Sequence, residues 1–423
     1  MANQFADGRF RFAVGIEDTF VPQIALGRRA LDEYELTQHY HYWYDDLALA
    51  RECGATTIRY GIPWYRIEPA RGRFVWDWLD RVADRLDELG LEPLIDLMHY
   101  GTPLWLDNQF AHHDYPRHVA EYAAAVADRY RGRFRAYTPL NEPLVNITFC
   151  GESGVWPPHL TGDDGYVQML RAIARGIVET QRALGDATVV HVEAVVGFTG
   201  ATEAHRERIE FLERRALLVE DLLTGRVDDE HPLTPYLRAN GFDDEDLAWF
   251  ADNQAPPDVV GVNYYPHLST AELVAGEEIA PPGPITPRPR ETGGIEGLEQ
   301  ALRLFSRRYG RPVFLTETSM VGPAELRLKW LDASVARLFD LRDDGVDIVG
   351  YTWWPLFHFV DWAYRTSGAA AEKHLVEMGM YDLVPDEIGM LRRVATPVVD
   401  RFRAHVAAVA ASGRPAEPAT AAA

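Results

Sequence analysis

Tyr137-Thr138-Pro139-Leu140-Asn141-Glu142-Pro143 is a short apolar run that ends in an Asn-Glu pair and is then stopped by proline. Read as a strand, it places Asn141 and Glu142 at the carboxyl end, where parallel α/β barrels carry their chemistry. Pro312-Val313-Phe314-Leu315-Thr316-Glu317 has the same form, 317 − 142 = 175 positions later. Two carboxylates, each closing a strand, imply a pair that acts on one bond. The remaining sequence then has to supply a scaffold that sets the two face to face.

Working outward, apolar runs of strand length alternate with segments of helical spacing. The strands are expected over Phe10–Ile16, Thr56–Tyr60, Pro93–Met98, the Tyr137 run, Ala187–Val192, Asp258–Asn263, Val313–Thr316 and Val346–Thr352. The helices are expected over Gln38–Glu52, Trp76–Leu89, Arg117–Tyr130, Val167–Leu184, Ala204–Leu223, Glu296–Tyr309, Leu326–Arg342 and Thr396–Ala411. Gly54 and Gly90 follow their helices where a left-handed terminator belongs. Eight strands alternating with helices predict an α/β fold, a single (β/α)₈ TIM barrel over residues 1–411. Pro266 to Gly294, rich in proline, is expected as a long loop over the barrel mouth, and Gly368 to Met378 as a second excursion after strand eight. Residues 412–423 (SGRPAEPATAAA) are expected as a disordered tail.

Composition narrows the partners. The 423 residues carry a formal net charge of −22, with 42 basic against 64 acidic side chains. An acidic surface repels phosphate backbones and anionic lipid, so neither nucleic acid nor membrane is expected as a partner. Cys53 and Cys150 are too few for a disulfide framework. No apolar stretch has the ~18 residues of a membrane span, and Met1-Ala2-Asn3-Gln4-Phe5 does not open a secretion signal. A cytoplasmic location is the default expectation, and a homo-oligomer stays open. The His39-Tyr40-His41 cluster, with no further ligand nearby in sequence, reads as helix surface and not as a metal site.

The residues just beyond the strands are Glu17, Arg59, Trp64, His99, Tyr100, Asn141, Glu142, Glu193, Asn263, Tyr265, Glu317, Trp353 and Trp354. In a barrel they all face one bowl. Aromatic faces stack on the C–H faces of a pyranose while amides, carboxylates and a histidine bond its hydroxyls. Two carboxyls about 5–5.5 Å apart suit double displacement, and about 6.5–9.5 Å suits inversion, so the residues alone leave the stereochemistry open.

The chain resembles glycoside hydrolase family 1, the retaining β-glycosidases with catalytic glutamates on strands four and seven. The likeness runs from about Phe10 to Phe402 and is carried by six motifs in order. They are Ile58 through Arg66, His99-Tyr100 with Pro103 and Trp105-Leu106, Asn141-Glu142-Pro143, Gly261 through Tyr265, Thr316-Glu317, and Gly350-Tyr351 through Trp354 to Asp361-Trp362. The resemblance implies Glu142 as general acid/base and Glu317 as nucleophile. It implies substrate-binding roles for Arg59, His99, Asn141, Tyr265, Trp354, Asp361 and Glu17: Asn141 at the sugar 2-hydroxyl, His99 at the 3-hydroxyl, Trp354 as the stacking platform, Arg59 and Tyr265 aligning the nucleophile. Trp353 and Tyr264 are expected in the core. Arg59 should depress the pKa of Glu317, and the nearby charge of Glu317 should raise that of Glu142. No metal and no organic cofactor is implied.

Several positions depart from the family pattern. The nucleophile region reads Glu317-Thr318-Ser319 where Glu-Asn-Gly is usual, Tyr100 stands where Trp is usual, and His358 where Asp is common. Asp361 takes the place of a glutamate that grips the 4- and 6-hydroxyls. The strand-one Gln has no plain counterpart: Gln23 is off by one position and Glu17 is the alternative. A phosphate grip after strand eight is not visible, which disfavours a 6-phospho-sugar. The expected activity is retaining β-glycosidase action on a small-molecule glycoside or oligosaccharide. The alternatives are a transglycosidase with the same residues and a non-catalytic sugar-binding barrel.

Overall fold

A computed structural model describes residues 3–200, 203–273 and 293–417. Eight parallel strands close into one barrel: β1 (Arg11–Gly15), β2 (Thr57–Gly61), β3 (Glu92–Asp96), β4 (Ala136–Thr138), β5 (Thr188–Ala194), β6 (Val259–Asn263), β7 (Val313–Thr318) and β8 (Ile348–Trp353). Each pairs with its sequence neighbours, and β8 pairs with β1 to close the ring. The strands are buried almost throughout because one face meets the barrel interior and the other meets helices. The helices that follow them are α1 (His39–Glu52), α2 (Asp77–Leu89), α3 (Tyr115–Arg129), α4 (Gly162–Leu184), α5 (Glu203–Ala216), α6 (Gly294–Tyr309), α7 (Ala324–Asp343) and α8 (Pro397–Ser412). The expected (β/α)₈ barrel is the fold observed.

Phe5 plugs the amino-terminal end of the barrel. It packs edge-on against Phe314 at 5.4 Å and is buried with Ala13, Leu94, Val190 and Val259. The chemistry is thereby left to the other end. There, a Cβ on Gly15 would lie 1.9 Å from the Trp354 ring, so only glycine lets that indole settle across the end of β1. The ladders of β7 shift register after Leu315 on both sides, and Glu317 comes opposite Asn263. Such bulges re-aim a side chain at the rim of a barrel.

The structure differs from the sequence expectation in several places. The helix expected over Ala204–Leu223 breaks at Leu217 into α5 and a short helix, Leu218–Leu223. Two short helices, Thr234–Ala239 and Asp244–Asp252, fill a stretch that carries no clear helical period. A hairpin of Tyr381–Pro385 with Leu391–Ala395 precedes α8. His39 is not helix surface: it is fully buried, its ring nitrogens 2.8 Å from Asp46 Oδ2 and from Tyr60 Oη. The expected loop from Pro266 to Gly294 lies mostly outside the described residues, as do residues 418–423 of the expected tail. No described helix is long and apolar enough to cross a membrane.

Candidate active site

Both glutamates that end strands reach one cavity at the carboxyl end of the barrel, with a volume of about 160 Å³. The floor is set by backbone. Asn141 N–H donates to the carbonyl of Met98 (2.9 Å) and Glu142 N–H to that of Val192 (3.1 Å), so β4 stays stitched to β3 and β5 beyond Thr138. Glu142 takes a left-handed φ of 44° before the short helix Pro143–Ile147. A non-glycine residue held there is strained, which is frequent where a side chain must be aimed.

Arg59 is the hub. Its Nη1 donates to Glu317 Oε1, and its Nη2 donates to Asn141 Oδ1 at 2.6 Å. Asp96 accepts from Nε at 3.1 Å and lies 2.8 Å from Nη2, so the buried cation is paired on two sides. Tyr265 Oη donates to the other oxygen of Glu317 at 2.7 Å.

Glu142 is held by different groups. Tyr100 Oη donates to its Oε2, and Asn263 Nδ2 donates to its Oε1 at 2.9 Å. Thr316 Oγ1 donates to Asn263 Oδ1 at 2.7 Å and fixes that amide's orientation. Asn141 Nδ2 donates to Tyr100 Oη (3.1 Å) and lies 2.8 Å from His99 Nε2. The other ring nitrogen of His99 faces Asp18 at 2.9 Å, and the ring stacks with Trp354, 5.3 Å between centroids. Trp354 Nε1 donates to Glu17 Oε2 at 2.9 Å, and Thr19 holds the other oxygen of Glu17.

The electrostatics are those of a buried carboxyl pair. Burial raises the affinity of Glu317 for its proton, Arg59 opposes this and Glu142 adds to it, with the net result that Glu317 is pushed up to about 8. The expected depression by Arg59 is present, but burial outweighs it. Arg59, a fixed cation, favours the negative charge on Glu317. Glu193, behind Glu142, is raised well above the usual carboxylate range by burial, with backbone donors Ala194 and Leu144 working against the rise. Its oxygens accept N–H bonds from Leu144 (3.2 and 3.3 Å) and Ala194 (2.9 Å).

Seven of the residues singled out in the sequence therefore meet at one point: Arg59, Asn141, Glu142, Tyr265 and Glu317 around the carboxyl pair, His99 and Trp354 beside them. Glu17 joins them through Trp354. Gln23 is exposed and lies outside the cavity lining. Asp361 is not brought to the lining: its carboxylate caps a short 3₁₀ helix by accepting from Ala363 N–H at 2.7 Å. His358 turns away from the cavity to Asp382 (3.0 Å), and burial pushes it down to about 4. Trp353 is fully buried and donates to the carbonyl of Met378, and the Tyr264 hydroxyl donates to that of Gly294. Tyr100 and Asn263, which grip Glu142, stood in the strand-end set without an assigned task. Their signal was position alone.

Comparison with known proteins bears on the family and the fold. The sequence pattern of glycosyl hydrolase family 1 matches residues 7–368. A bifunctional β-D-glucosidase/β-D-fucosidase from Bifidobacterium breve is 26% identical over 396 residues, covering 78% of this chain and 81% of its own. A thermostable β-glucosidase B from Thermobispora bispora is 28% identical over 363 residues, covering 77% and 74%. Among solved structures, the β-glucosidase of Thermotoga maritima in complex with deoxynojirimycin superimposes with a TM-score of 0.76. It covers 94% of this chain and 97% of its own at 19% identity.

Proposed function

The chain belongs to glycosyl hydrolase family 1 and is a β-glycosidase, and from that premise we propose that it works by double displacement through a covalent glycosyl–enzyme. Glu317 attacks the anomeric carbon as its bond to the leaving oxygen breaks. Glu142 gives that oxygen its proton. Glu142 then takes a proton from water, which attacks the same carbon and releases Glu317. The observation that carries this reading is the unequal support of the two carboxyls. Glu317 is bonded by a guanidinium and a phenol, which hold charge on it. Glu142 is bonded by neutral groups, Tyr100 and Asn263, and sits beside the charge of Glu317.

The sugar would lie on Trp354, with Asn141, His99 and Glu17 within reach of its hydroxyls. A β-glucoside is the first glycone to try, in keeping with the relatives named above. An activated 2-deoxy-2-fluoro-β-glucoside should inactivate the enzyme and leave one adduct, mapped by peptide mass to Glu317. Turnover that inverts the anomeric centre, or an adduct at another residue, would overturn the proposal.

A further inference from the structure

Tyr100 enters the barrel mouth on a backbone that few aromatic residues adopt. Its φ of 81° is left-handed, like the 44° of Glu142, and its side chain is buried. The ring is walled by Trp156 at 5.0 Å, Trp362 at 5.5 Å and His99 at 4.8 Å between centroids. A strained residue boxed in this way has its hydroxyl aimed. Hydrogen-bond accounting gives the direction. Asn141 Oδ1 accepts from Arg59 Nη2 (2.6 Å) and Asn263 Nδ2 (3.2 Å), so its amide cannot be turned round. The two protons on Asn141 Nδ2 then go to His99 Nε2 (2.8 Å) and Tyr100 Oη (3.1 Å). With its oxygen accepting from Asn141, the phenol points its own proton at Glu142 Oε2. Burial and the charge of Glu142 hold the phenol well above its usual range, so that proton stays on Tyr100. The result is a chain from the Arg59 cation through Asn141 and Tyr100 to Glu142, each bond polarising the next.

Resting on the double displacement proposed above, this chain acts unequally on the two steps. In the first, the O–H bond of Glu142 breaks, its proton passes to the leaving oxygen, and the electron pair stays on the carboxylate. A donor aimed at that carboxylate stabilises its charge as the charge grows. In the second, the same carboxylate takes a proton from water and loses its charge, so the donor is worth less in the transition state than before it. We propose that Tyr100 is a positioning residue that acts through Glu142, strengthening it as an acid and not as a base. Formation of the glycosyl–enzyme is thereby assisted and its hydrolysis is not.

Tyr100→Phe keeps the ring and removes the donor. We expect kcat/KM for butyl β-glucoside to fall about tenfold, the share of a charge-assisted hydrogen bond formed by the transition state. A dinitrophenyl β-glucoside needs no proton in the first step, so its kcat/KM should hold. Its kcat, set by the second step, should stay or rise. Reactivation of the enzyme trapped by the 2-fluoroglucoside measures the second step alone and should be no slower than in wild type. A residue that merely placed Glu142 would slow both steps, since the same carboxyl activates water. Slower reactivation, or an undiminished rate on butyl glucoside, therefore overturns the inference and leaves hydrolysis standing. So does a variant whose Glu317 is no longer labelled by the 2-fluoroglucoside. Failure to label the wild-type protein would instead strike the hydrolysis reading, and this inference with it.

Discussion

Arg59 binds Glu317 across the barrel and, with its second terminal nitrogen, the Asn141 amide that neighbours Glu142. One side chain from β2 thus fixes the spacing of β4 and β7 at the point where both end. The guanidinium is fully buried, and Asp96 completes its pairing at 2.8 Å. A buried cation is tolerable only with such partners, and its planar fork is what lets it serve three of them.

Arg59→Met should therefore strip Glu317 of its counter-charge while leaving the buried Asp96 with only His99, 3.4 Å away, to face it. Breaking a buried pair from one side costs about 3–5 kcal/mol. We expect a lower unfolding midpoint in urea and a fall in kcat/KM on the order of 100-fold or more. Arg59→Lys keeps the charge but loses the fork, and should fall between Met and wild type. Wild-type kcat/KM in the Met variant would mean that Glu317 needs no fixed cation.

Glu142→Gln keeps the hydrogen bond from Tyr100 but cannot give up a proton. General acid catalysis contributes about 10²–10⁴-fold, and more of it for reluctant leaving groups. Alkyl β-glucosides should lose activity across that range, while a dinitrophenyl β-glucoside should lose far less. The check is a plot of log kcat/KM against leaving-group pKa, which should steepen in the variant. Parallel plots would remove Glu142 from the acid role.

The barrel was legible because its strands are covered on both faces and so read as mainly apolar runs. The ends of those runs located both glutamates, since backbone alone carries a strand-end side chain to the mouth. What could not be read were choices made by tertiary contact. Asp361 has the sequence position of a sugar ligand, yet the free N–H of Ala363 two residues on captures its carboxylate. His39 looked exposed in a polar run, but Asp46, seven residues along α1, and Tyr60 on β2 draw it inward. The ranking of burial over Arg59 at Glu317 depends on how much water the closed cavity excludes, which no motif records.

The acidity of Glu317 gives a pH profile with a definite sign. Its carboxyl moves from 4.5 to about 8, raised by burial and lowered in part by Arg59. Below about 8 Glu317 keeps a proton, and a protonated carboxyl cannot attack. As pH rises through about 8 that proton leaves and frees the nucleophile, so kcat/KM should rise to a plateau with a midpoint near 8. Folding follows the same linkage. The native state holds the proton more tightly than the unfolded chain, so this stabilisation is complete below about 4.5 and disappears as pH climbs to about 8. Glu317→Gln cannot ionise. Its melting temperature should gain on wild type from pH 5 to pH 8 and hold that lead above. A constant gap across the range would place the titration elsewhere.

Glu193 supports Glu142 from behind. Glu142 is held at φ 44°, and the N–H of Leu144, two residues on, is captured by the Glu193 carboxyl. Removing that acceptor frees the first turn of the helix that carries the acid. Loss of a helix cap costs about 1 kcal/mol, and a shift of even ~1 Å at a reacting group can cost much more in rate. Glu193→Ala should lower stability by about that amount and reduce kcat/KM for alkyl glucosides roughly tenfold. Glu193→Gln retains an oxygen of the same reach, so it should recover most of both losses. The midpoint near 8 should stay in place in the Gln variant, because burial and Arg59 at Glu317 are untouched by it. If Ala and Gln behave alike in rate and in melting temperature, the left-handed turn at Glu142 is held by Pro143 and the Val192 carbonyl without help from Glu193.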